Sequence, residues 1–167
     1  MDAEKKLADT MGVSYKINQC EIDGFRINYL VAGEGEPLLL IHGANIGWGM
    51  WYQNIPELAK KYKVIALDLP GAGASSNVEF KNIDLEKTFV RPVESLLHFL
   101  GVGNIRVIGH SFGGWVAMKM ALVSKISIKK IVLSDSLGFS TKITLSQWPA
   151  TVGLLAKFIS KILFKIT

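Results

Sequence analysis

The 167-residue sequence contains one cysteine, three histidines and five prolines, and only 20% of its residues are charged. A single thiol, Cys20, forms neither a disulfide framework nor a zinc set, so a reducing, cytoplasmic setting is the expectation. No uninterrupted apolar run approaches the roughly 18 residues that a spanning helix needs. The opening residues, MDAEKKLADT, mix acids with lysines and lead into no apolar stretch, unlike a secretory signal. Scarce charge combined with 49% hydrophobic residues excludes disorder and allows one domain with a real core. Three scattered histidines beside one cysteine lack metal-ligand spacing, and no G-x-x-x-x-G-K-[ST] run occurs, so neither metal nor cofactor is expected. The run from Gly71 to Ser76 begins like a dinucleotide fingerprint, but Ser76 replaces its last glycine and Pro70 disturbs the turn.

The formal charge of +5 is unevenly placed. Residues 1–135 hold 15 basic and 14 acidic groups, whereas residues 136–167 hold four lysines and no acid. A nucleic-acid binder would show a basic stripe with arginine forks or interleaved aromatics on a folded face, and none is present. In the tail, Lys157, Lys161 and Lys165 recur every four residues, while Leu154, Leu155, Phe158, Ile159, Ile162, Leu163 and Phe164 cover most of the remaining helical surface. This pattern fits a cap helix with solvated lysines, or a helix lying on a membrane surface through residues 151–167.

Along the chain, strand and helix patterns alternate. Residues 13–21 and 25–32 form two strand-like runs around Asp23-Gly24, a hairpin signal. Short apolar runs at 38–41, 64–67, 105–108 and 131–133 suit parallel strands buried on both faces. Val93, Leu96, Leu97 and Leu100 keep helical spacing before Gly101, and Pro92 implies that the segment from Ile83 kinks or restarts there. Residues 112–123 are apolar almost all round, as in a helix packed on the middle of a sheet. A hairpin followed by βαβ units predicts an α/β domain with a mostly parallel sheet.

The motif with most chemical content is Gly109-His110-Ser111-Phe112-Gly113, followed by Gly114. It lies where an apolar strand meets an apolar helix, the context of a nucleophile elbow. Such an abrupt turn forces the serine to positive φ, and glycine two positions to either side removes the resulting collision. Ser111 is therefore the candidate nucleophile. Residues 38–41 run into His42-Gly43-Ala44-Asn45, an oxyanion-loop position in which the Ala44 N–H, paired with that of Phe112, forms the candidate oxyanion hole.

On these strings the chain resembles the N-terminal part of an α/β-hydrolase-fold protein, of the branch containing serine esterases, lipases and carbon–carbon bond hydrolases. LLLIHGAN, VIALDLPGAGAS, RVIGHSFGG and IVLSDSLG follow one another as the family's third to sixth strands and their loops do. The resemblance implies that Asp68, Gly71 and Gly73 shape a loop beside the site without chemical work. It also disfavours dehalogenase and epoxide hydrolase activity, because those relatives place aspartate at the elbow.

One departure stands out. The family's triad follows in the order serine, acid, histidine, yet no histidine follows Ser111 and the only later acid is Asp135, which reads as a loop residue. His42 belongs to the oxyanion loop and His110 points away from its neighbour's hydroxyl. The expectation is an incomplete hydrolase, lacking the last core strands: residues 1–140 as the N-terminal part of the core and 141–167 as the start of a cap, with the sixth strand left as an apolar edge. Two functions follow. One is descent from a serine hydrolase acting on an apolar small-molecule ester, thioester or related acyl bond, carbon–carbon cleavage included. The other is a noncatalytic module that binds a ligand, a membrane surface or a complementary C-terminal chain.

Overall fold

The computed structural model describes residues 3–138. The chain divides into two units, Met1–Ser136 and Leu137–Thr167. The tail stripe and the expected cap segment lie outside the described residues.

The first unit begins with a helix, α1 (Ala3–Asp9), which the pattern reading does not assign. Two antiparallel strands follow, β1 (Tyr15–Ile22) and β2 (Phe25–Ala32), joined by Asp23 and Gly24. Both turn residues have positive φ, 52° and 81°, the handedness that matches the right-handed twist of a hairpin. The chain continues through β3 (Glu36–Ile41), a 3-10 turn (Trp48–Trp51), α2 (Ile55–Ala59), β4 (Tyr62–Leu67) and α3 (Arg91–Phe99). It ends with β5 (Asn104–His110), α4 (Phe112–Val123) and β6 (Ser127–Ser134). The six strands form one sheet in the order β1-β2-β4-β3-β5-β6. β3 pairs in parallel with both β4 and β5, β5 pairs in parallel with β6, and β2 joins β4 antiparallel. The expected alpha/beta architecture, a mostly parallel sheet carrying an antiparallel N-terminal hairpin, is therefore what the chain adopts.

The apolar runs explain the order. Leu38, Leu39, Leu40 and Ile41 on β3, and Val64, Ile65, Ala66 and Leu67 on β4, are buried on both faces at the sheet's centre. The run at 131–133 departs from that expectation: its strand is longer and half-exposed, with Val132 55% accessible, because among the described residues β6 is an edge paired only with β5. Likewise α4 is buried along Gly113–Ala117 but leaves Leu122 and Val123 exposed at its end. Pro92 acts as expected: a π-turn (Glu86–Val90) precedes it, and α3 restarts with Pro92 in its first turn, where the missing N–H costs nothing. Gly101, at φ 69°, stops that helix while the Gly101 and Val102 N–H groups cap the carbonyls of His98 and Leu97. No helix among the described residues is long and apolar enough to cross a membrane.

Candidate active site

Because β3 sends its chain to β4 on one side while β5 lies on the other, the C-terminal ends of β3 and β5 diverge there. In open parallel sheets this switch point is where ligands bind. Both sequence motifs emerge at it: residues 42–47 from β3 and residues 111–114 from β5.

Ser111 has φ 50° and ψ −114°, caught between the last residue of β5 and the first of α4. Its glycines are required by contact. A methyl group on Gly109 would lie 2.5 Å from the Gly113 carbonyl oxygen and 2.7 Å from Gly114 Cα, and one on Gly113 would lie 2.7 Å from the Ile41 carbonyl carbon. Gly114 is similarly closed by Ser136, whose Cβ would be 2.7 Å from an added methyl. The tight elbow thus packs α4 directly onto the ends of β3 and β5. At the start of α4 the Phe112 N–H has no acceptor among the described residues, as the first turn of a helix leaves it. The Phe112 ring is fixed by Phe89, edge-on at 4.9 Å, and by Trp115, stacked at 5.5 Å.

Gly43 brings the loop after β3 to the elbow: a Cβ there would lie 3.5 Å from Ser111 Cβ and 3.1 Å from His110 Cδ2. Ala44 follows at the half-buried surface of the loop, and Asn45 (φ 62°) and Gly47 (φ 101°) turn it back. His42 is buried and held at both ring nitrogens. The Leu69 N–H donates to Nε2 at 2.8 Å, so the ring proton sits on Nδ1 and is donated to the Gly43 carbonyl at 2.5 Å. Burial pushes the His42 pKa below its ordinary 6.5, against the opposing pull of the Gly43 carbonyl and the Asp68 charge. A neutral, doubly engaged imidazole orders the loop and has no lone pair to take a proton from Ser111. His110 directs Nδ1 toward Ser134 Oγ, 3.4 Å away, not toward Ser111. Among the described residues nothing hydrogen-bonds Ser111 Oγ. Asp135, exposed after β6 at φ 45°, lies in a turn as expected, and His98 is an exposed helix residue.

Asp68 organises the neighbouring loop. Its buried carboxylate accepts from the Trp48 backbone N–H (2.6 Å), the Asn28 side-chain amide (2.8 Å) and the Ala74 N–H (2.9 Å). Gly47 and Gly73 leave room for it; a Cβ on Gly47 would sit 2.8 Å from Asp68 Oδ1. Ser75 Oγ donates to the Asp68 carbonyl at 2.7 Å and accepts the Asn28 N–H at 2.9 Å, while Ser76 pairs with Arg26. The glycine-rich run is therefore closed around a protein carboxylate, not open to a phosphate. Asn28, Trp48 and Glu4, which complete this network, escape the motif reading. The available signals are a polar residue inside the apolar β2 and the helical spacing of Glu4, Leu7, Ala8 and Met11. Among the described residues no three His, Cys, Asp or Glu side chains are grouped to hold a metal ion.

Comparison with known proteins agrees with this geometry. The model of the alpha/beta hydrolase fold family matches residues 36–165. The chain is 36% identical over 118 residues to a soluble epoxide hydrolase of Corynebacterium sp. (strain C12), covering 71% of this chain and 41% of the relative. It is 34% identical over 124 residues to a 2-hydroxymuconate semialdehyde hydrolase of Pseudomonas sp. (strain CF600), covering 72% of this chain and 44% of the relative. The chain thus spans under half the length of these curated relatives. Among solved structures, an epoxide hydrolase without ligand superposes with a TM-score of 0.70 at 31% identity, covering 86% of this chain and 50% of that one.

Proposed function

The chain belongs to the alpha/beta hydrolase fold family, and on that premise we propose that it acts as part of a serine hydrolase that cleaves an apolar ester, thioester or related acyl bond, carbon–carbon cleavage included. The observation that carries the reading is Ser111, at positive φ at the head of α4 with Gly43 of the oxyanion loop packed against it. Ser111 Oγ forms a bond to the substrate carbonyl carbon as its proton passes to a base. The carbonyl oxygen becomes an oxyanion that accepts from the Phe112 and Ala44 N–H groups. Collapse expels the protonated leaving group, and water then releases the acyl group from Ser111. The serine disfavours the epoxide-opening chemistry named for one relative, since the aspartate that the resemblance places at the elbow of epoxide hydrolases has no counterpart at residue 111.

The base is the demanding part of the reading. His42 and His110 are committed elsewhere, and the sequence has no histidine after Ser111, so the proton acceptor is assigned to a group outside the described residues. In this reading residues 1–140 are the N-terminal part of the core, residues 141–167 begin the cap, and the protein works in the cytoplasm. A second reading, a noncatalytic module binding a ligand, a membrane surface or a complementary C-terminal chain, is favoured by the half-exposed β6 edge and the exposed Leu122 and Val123 at the end of α4.

Exogenous imidazole separates the two, since it can itself act as a small base at Ser111. The chain is treated with a fluorophosphonate with and without imidazole, and the adduct is mapped by mass spectrometry. The expected result is an imidazole-accelerated adduct on Ser111 that Ser111→Ala lacks. A folded chain that forms no Ser111 adduct under either condition overturns the hydrolase reading.

A further inference from the structure

The hydrolase reading leaves unused a carboxylate that α1 delivers beside the oxyanion loop. Positions 4, 7 and 8 of α1, with Met11 in the turn that follows it, face the Trp48–Trp51 turn. Ala8 and Met11 are buried in one cluster with Trp48, Trp51 and Ile55. Leu7 packs so closely that a Cβ on Gly49 would lie 2.9 Å from Leu7 Cδ2. Glu4 accepts a hydrogen bond from the Trp48 indole N–H and another, of 2.6 Å, from the Asn28 amide. The second hydrogen of that amide goes to Asp68, which also takes the Trp48 backbone N–H. Trp48 is therefore held at both of its nitrogens, by two carboxylates bridged through one buried asparagine.

Trp48 is also where the oxyanion loop ends. The loop leaves β3 at His42, pinned to the Leu69 N–H, and returns at Trp48, and between these pins Asn45 and Gly47 sit at positive φ. A short loop with two left-handed residues keeps one conformation only when both ends are restrained. One restraint comes from the sheet; the other is shared, with Asp68 holding the Trp48 backbone and Glu4 of α1 holding its indole.

We propose that α1 clamps the oxyanion loop and that Glu4 is its positioning residue, fixing the direction of the Ala44 N–H through Trp48. The catalytic consequence rests on the hydrolase reading; the structural consequence rests on the hydrogen-bond network alone. The test follows backbone hydrogen exchange and the fluorophosphonate rate at Ser111 in the same 167-residue chain, with imidazole present. Glu4→Ala is expected to speed exchange across residues 43–48 by about tenfold and to slow Ser111 labelling by about tenfold, leaving protection of β3, β4 and β5 unchanged. Glu4→Gln keeps an acceptor oxygen and should restore most of both. Trp48→Phe keeps the backbone N–H, deletes the indole donor and should repeat the loop-confined loss. Unchanged exchange at 43–48 in Glu4→Ala, or an equal loss over the whole sheet, overturns the clamp. If Ser111 of the unmodified chain takes no label, the hydrolase reading fails while the exchange pattern still decides the clamp.

Discussion

The two ends of β5 obey different rules although one strand joins them. At its N-terminal end, Glu36 at the start of β3 meets Arg106 of β5 and, at 3.3 Å, Lys129 of β6, with Arg106 lying 5.7 Å from the Tyr62 ring centre. These groups are partly or largely in water, where an ion pair gains little and adapts easily. At the C-terminal end the Asp68 carboxylate and the His42 imidazole are buried with named donors, and Ser111 is held at positive φ. An exposed pair that loses one partner is rehydrated. A buried carboxylate that is lost leaves its donors with no alternative, so the end that carries the candidate chemistry is also the end that tolerates least.

The largest expected effect of that contrast is at Asp68. Asp68→Ala leaves the N–H groups of Trp48 and Ala74 and one hydrogen of the Asn28 amide without their acceptor, in a site closed to solvent. At about 1–3 kcal/mol per stranded buried group, the loss should exceed about 3 kcal/mol in a denaturant titration. A loss below about 1 kcal/mol would break the comparison, because it would mean that water reaches the loop and substitutes for the carboxylate.

A matched pair of glycines sharpens it. Gly109→Ala drives a methyl group to 2.5 Å from a backbone oxygen that cannot step aside, and should destabilise by about 2–4 kcal/mol while displacing the elbow. Gly103, just before the same strand, has nothing within 4 Å of an added Cβ and no positive φ. Gly103→Ala should be neutral or stabilise by about 0.5 kcal/mol through the lost freedom of the unfolded chain. Thermal melts of the two variants compare the ends directly. Equal destabilisation by both would remove the distinction.

The same contrast marks what is legible in the sequence. The elbow, the loop after β3 that meets it and the central strands depend on local pattern: glycines at fixed offsets from Ser111, and apolar runs that only a doubly covered strand accommodates. The hairpin turn and the restart at Pro92 are equally local. The Glu4–Asn28–Asp68–Trp48 network is not, because its members are 20 to 44 residues apart along most of its bonds and no single spacing announces it. The extent of β6 is obscure for a related reason. Its lysines at 129 and 130 break the apolar run, and only the edge position in the sheet makes them compatible with a strand.

Acid exposes the smallest difference, and the two ends separate by pH. Burial holds the His42 pKa below 6.5 in the folded chain, so above that value folded and unfolded states are both neutral there and the residue adds no pH dependence. As pH falls below 6.5 the unfolded histidine takes up a proton that the folded one resists, and stability declines. Glu36 behaves differently: hydrogen bonds from Lys129 and Arg106 hold its pKa below 4.5, so its contribution is complete above that pH and fades only as pH drops through the folded value. Between pH 6.5 and 4.5, therefore, the C-terminal end of β5 should respond to acid while this pair at the N-terminal end stays silent. His42→Gln keeps an acceptor for the Leu69 N–H and removes the titrating ring, so it should flatten the melting temperature across that window. Glu36→Gln should leave the window untouched and alter the profile only at lower pH. A slope that persists in His42→Gln, or one that Glu36→Gln abolishes, would place the acid-sensitive contact at the wrong end of the strand.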